Sequence, residues 1–140
     1  MRRVSLLSLS FVAMLTLASV ACDSGETTPT TPTTPGPTIT ETFAGTVTQN
    51  GAATFTFNTS LSGLVTATLK SIGPVTTAQV GLALGTWNGV SCAVVLANDR
   101  ITAGLAVTGQ VNAAGSLCVR VYDVGQLTET STFEVVVVHP

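Results

Sequence analysis

From residue 40 onward the chain repeats one pattern: short runs in which every second side chain is apolar, each ended by a turn signal. Thr54-Phe55-Thr56-Phe57 sets both phenylalanines on one face. Val65, Ala67 and Leu69 share a face within Leu64 to Leu69, and so do Val80, Leu82 and Leu84, then Leu117, Val119 and Val121. A period of two belongs to a strand, because a helix needs apolar residues every three or four positions. Abundant Thr and Val suit the same pleated, half-buried surface.

The turn signals order these runs. Gln49-Asn50-Gly51 follows Thr42 to Thr48 and predicts a type I′ hairpin into Thr54 to Phe57. Gly73-Pro74, Asn88-Gly89 and Asn98-Asp99 end later segments. Ser91 to Leu96 is nearly all apolar, which predicts a strand buried on both faces or in a sandwich core. Ile101 to Val111 reads as one segment, apolar at 101, 103, 105 and 107. Thr132 to Val138 closes the domain, with Val135 to Val138 apolar on both faces. An exposed edge of that composition would invite aggregation, so this strand is expected to be paired within a sheet. About eight short strands and no capped, helix-periodic segment predict an all-β antiparallel sandwich, jelly-roll-like in type.

The N-terminus has a different logic. Met1-Arg2-Arg3 is basic, Val4 to Val20 has no charge, and Ser19-Val20-Ala21-Cys22 ends the stretch on small residues. That is the layout of a secretory signal peptide, the arginines serving as its basic region or as a twin-arginine signal. Ser19-Val20-Ala21-Cys22 resembles the lipobox of bacterial lipoproteins, with Ser19 where an aliphatic residue is usual. The resemblance implies acylation of Cys22 as the new N-terminus. Ser19-Val20-Ala21 also suits ordinary signal peptidase, which would release the chain. Residues 24–38 are rich in Thr and Pro, and four prolines exclude helix or paired strand there. The expected organisation is a signal peptide over 1–21, a lipidated N-terminus and disordered linker over 22–40, and a sandwich over 41–140.

Loss of residues 1–21 leaves Lys70, Arg100 and Arg120 against seven acids, a net charge of −4. No basic patch remains to neutralise phosphates, which excludes nucleic acid as an expected partner. The expected partners are the membrane, through the lipid, and a surface polysaccharide or protein.

The segments Gly51-Ala52-Ala53-Thr54-Phe55-Thr56-Phe57 and Gly63-Leu64-Val65-Thr66-Ala67-Thr68-Leu69 resemble the bacterial pre-peptidase C-terminal domain. Val80-Gly81-Leu82-Ala83-Leu84 and Cys118-Val119-Arg120-Val121-Tyr122-Asp123 continue the likeness. The resemblance implies a small β-sandwich attached to exported proteins. Some members bind calcium through acids clustered near the domain's start, where this chain has Glu41 alone. Others bind collagen or polysaccharide.

With Cys22 assigned to the lipobox, Cys92 and Cys118 form an even pair, expected as a disulfide in an oxidising compartment. Strand alternation puts Cys118 with Arg120 and Tyr122, away from the core, so the bridge is expected near the surface between neighbouring strands or a strand and a loop. Catalysis has little to build on, since the one histidine, His139, is expected in an exposed tail. Trp87, beside the Asn88-Gly89 turn and with Tyr122 nearby, is the candidate for stacking on a sugar. Asp99 and Asp123 are weak calcium candidates, against the commoner role of turn aspartates in bonding local backbone. No cofactor is expected. The sequence therefore reads as a noncatalytic, membrane-tethered module of the bacterial cell envelope for adhesion or assembly. The rival reading is a polysaccharide- or calcium-binding module.

Overall fold

The computed structural model describes residues 36–140, so the signal peptide, Cys22 and most of the linker lie outside the described residues. Eight strands follow in order: β1 (Ile39–Val47), β2 (Ala52–Thr59), β3 (Gly63–Gly73), β4 (Val80–Trp87), β5 (Cys92–Ile101), β6 (Ala106–Val111), β7 (Gly115–Tyr122) and β8 (Ser131–His139). They form two four-stranded antiparallel sheets, β1-β8-β3-β6 and β2-β7-β4-β5. Successive strands alternate between sheets except β4 and β5, which is jelly-roll topology. No helix among the described residues is long and apolar enough to cross a membrane.

The core is the sum of the alternating faces. Val65, Ala67 and Leu69 of β3 meet Leu82 and Leu84 of β4, Val119 and Val121 of β7, and Val135 and Val137 of β8. β8 is paired on both sides, with β1 and with β3, as its two apolar faces require. Aromatic rings close the gap between the β1 and β2 edges: Phe43 stacks on Phe55 at 5.2 Å, and Phe55 meets the edge of Phe133 at 6.1 Å.

Five sequence expectations need correction. Asn50-Gly51 does not make a type I′ hairpin, because β1 pairs with β8 and β2 with β7. Asn50 is left-handed at φ 54°, and Gly51 N–H donates to Thr48 O at 2.9 Å, so the turn carries the chain from one sheet to the other. Ser91 to Leu96 is not a core strand. Most of it lies in β5, the outer strand of its sheet, whose residues are almost all exposed. Asn98-Asp99 does not end a strand, since β5 runs through to Ile101, and the stretch from Ile101 to Val111 is split by a turn at 102–105. In each case local composition is outweighed by which sheet the strand joins. Finally, His139 is no exposed tail. It is 1% exposed on β8, lies tilted against the Phe57 ring at 5.1 Å and sets Nε2 3.0 Å from Glu41 Oε1.

Because β8 joins two neighbours, truncation after Thr132 should remove the middle of the first sheet and give insoluble protein. A soluble truncation that still melts cooperatively would contradict this assignment.

Candidate functional site

The outward side chains of β4 are unusually small. In Gly81-Leu82-Ala83-Leu84-Gly85 the leucines face the core, while Gly81, Ala83 and Gly85 leave a trough along the outer face of the second sheet. Side chains of β7 reach across it. The Tyr122 ring rests where a side chain at Gly81 would stand, 2.2 Å from the position its Cβ would take. Its hydroxyl donates to Asp99 Oδ1 on β5. Desolvation, then the bond to Asp99 and its negative charge, push the Tyr122 pKa up to about 12, although Arg120 acts to lower it. Arg120 lies 5.8 Å from the Tyr122 ring centre.

At the other end of the trough the start of β5 folds over Gly85, where a Cβ would come 2.3 Å from the Ala93 carbonyl oxygen. That fold-over brings Cys92 within 5.8 Å of Cys118, Cα to Cα, and the two form a disulfide. The bridge lies on the outer face, as the alternation of β7 predicts. It does not join neighbouring strands, however: β5 and β7 flank β4, and the bridge passes over it. Cys118 is fully buried beneath the fold-over although it faces away from the core.

Trp87 and Tyr122 are not brought together. Trp87 is half-buried at the far end of β4, paired with Cys92, whereas Tyr122 pairs with Gly81. Six residues of strand separate the two levels, about 20 Å at about 3.3 Å each. Asp99 and Asp123 each have other work. Asp123 Oδ1 accepts from the N–H groups of Gly125, Gln126 and Leu127, and Oδ2 accepts from Asn50 N–H at 2.8 Å. One carboxylate thus pins the β1–β2 turn to the segment leading into β8. Among the described residues no three acidic, histidine or cysteine side chains gather as a metal site.

The feature that sequence reasoning missed lies on the opposite side from the aromatic cluster. There β5 and β6, the last strands of their sheets, leave an apolar cleft of about 100 Å³ lined by Val65, Leu84, Val95, Leu96, Val111 and Leu117. Leu96 leans across it, towards Gly109. Two bulges in the β4–β5 ladder displace β5, one near Val95 and one near Asp99. Val94, Val95 and Leu96 are left 46%, 68% and 40% exposed. The only signal was Ala93 to Ala97 itself, an uncharged run that reads as core until its sheet position is known.

The bridge closes a 26-residue separation, so Cys118→Ala should cost about 3.5 kcal/mol by loop entropy. Reducing the wild-type protein should lower its melting temperature similarly, and equal melting with and without reductant would refute the stabilising role. The Asp123 carboxylate is pushed up by desolvation, but its four backbone donors together outweigh this and hold its pKa below the ordinary 3.8. A depressed folded pKa stabilises the fold above the unfolded value, and the benefit is lost as pH falls through the folded one. Wild type should therefore exceed Asp123→Ala in stability at neutral pH, with the gap narrowing in acid. A gap independent of pH would contradict the charged-acceptor role.

No protein-family model and no curated protein matches the chain. Among solved structures, it is similar to the Yersinia pseudotuberculosis-derived mitogen, at 18% identity and a TM-score of 0.55 over 73% of this chain and 86% of the mitogen. A periplasmic inhibitor of g-type lysozyme from Aeromonas hydrophila is 15% identical, with a TM-score of 0.48 over 71% and 84%. A chain of disulfide-linked pili from Bacillus endospore appendages is 14% identical, with a TM-score of 0.39 over 73% and 87%. The last two superpose too loosely to carry an argument, and at 18% identity the mitogen establishes the fold alone. The described residues form a small all-β domain of a kind that occurs in bacterial proteins.

Proposed function

We propose that this protein is a noncatalytic, membrane-tethered module of the bacterial cell envelope, acting in adhesion or assembly outside the cytoplasm. The observation that carries this reading is the β5–β6 side. An outer strand with an uncharged apolar run beside an apolar cleft is a surface for another protein chain, because free strand edges and apolar patches are what such chains pair with. The Cys92–Cys118 bridge fits an oxidising compartment. The basic and apolar N-terminus supplies the export signal, acylated Cys22 the anchor, and the Thr/Pro segment the spacer. We read the sandwich as similar to the pre-peptidase C-terminal domain on the sequence resemblance alone, a reading that goes with a module of exported proteins.

The rival reading, a polysaccharide-binding face, now rests on Trp87. Tyr122 is distant from it and has its hydroxyl engaged by Asp99.

Labelling of expressing cells with a fatty-acid analogue should mark the wild-type protein, and Cys22→Ser should abolish the mark. Protease added to intact or outer-membrane-permeabilised cells should then reach the sandwich. Unlabelled release of both forms would make the chain a plain secreted protein, and retention in the cytoplasm would overturn the proposal.

A further inference from the structure

The two open ends of the sheets are not equivalent. The β1–β2 side is sealed by Phe43, Phe55 and Phe57, whereas the β5–β6 side exposes Val94, Val95 and Leu96 at the mouth of the cleft. We infer that a second copy of this chain covers that side, the two copies related by a twofold axis near Val95. This rests on the proposed surface-module role and names the partner of its carrying surface.

Four observations favour a second copy. The chain enters the sandwich at Ile39 on β1, the strand farthest from β6 in that sheet. Residues 24–38 also lack large apolar side chains to fill the cleft. Shape is the second point. The bulge projects Val95 as a knob beside a hollow of about 100 Å³, so a twofold contact sets each knob against the other copy's hollow.

Charge is the third. Cys92 to Ala97 has no charged residue, so self-association of this run brings no like charges together. Antiparallel alignment about Val95 sets Asp99 and Arg100 beside Ser91 and Val90 of the second copy, both uncharged, and Val90 is 87% exposed. The rest of the exported chain carries a net negative charge, which disfavours contact between other faces. Area is the fourth. Ten residues of β5 make a side about 33 Å long, and two sheets about 10 Å apart with their side chains make it about 20 Å wide. That footprint approaches the roughly 800 Å² per partner of a standard interface.

The test is the mass of the Cys22→Ser chain in solution by sedimentation at concentrations from about 1 to 200 μM. Twice the monomer mass is expected over the upper part of that range. Val95→Lys places a charge in the contact and should return the monomer at every concentration, with its melting transition retained because Val95 is exposed. Thr54→Lys, on the outer face of β2 and away from the cleft, should leave the dimer intact. A wild-type monomer throughout, or a dimer unaffected by Val95→Lys, would overturn the inference. Loss of the dimer alone, with export and lipid labelling intact, would leave the surface-module reading standing. Absence of export would remove that reading whatever the mass.

Discussion

At Gly81 and Gly85 the outer face of β4 carries no side chain, and the second sheet is arranged around those two gaps. Tyr122 fills one and reaches Asp99; the fold-over of β5 fills the other and brings Cys92 to Cys118. Any larger residue at Gly85 would meet the Ala93 backbone and push the start of β5 outward. The outer strand is thus fastened to β7 at two points across β4, in addition to its broken ladder with β4. A ladder with two bulges would be a weak attachment by itself, and side-chain and covalent links make up the difference.

That fastening explains how an outer strand rich in valine can remain exposed without dissolving into the core. Bulges re-aim β5 so that Val95 and its neighbours face outward at the cleft, and the bridge holds them there. The opposite side is filled by aromatic rings and the buried His139, with Ile39 of β1 half exposed beside them. One side of the sandwich is finished by its own side chains, and the other presents apolar surface to its surroundings.

Much of this fold was legible in the sequence. Alternation in β2, β4 and β7 named the core face correctly, and the double apolar face of β8 identified a strand with two neighbours. The bridge could be read from two remaining cysteines, although its passage over β4 could not, because the role of Gly81 and Gly85 appears only once sheet order is known. Asn50-Gly51 and the apolar run of β5 misled for one reason. Local composition records that a turn or a strand exists, but not which sheet receives it or whether a neighbour covers it. His139 misled because a residue near the end of the sequence is easily taken for a tail, while pairing of β8 with β1 carries it inside. The cleft was invisible, being made by strands distant in sequence.

Site-resolved hydrogen exchange on the oxidised and reduced protein tests the central claim most directly, that β5 is held to the sandwich across β4 by the bridge. Reduction should raise exchange selectively in β5, above all around Ala93 to Leu96, while amides of β3 and β8 keep their protection. Unchanged protection of β5 on reduction, or equal loss in every strand, would contradict it.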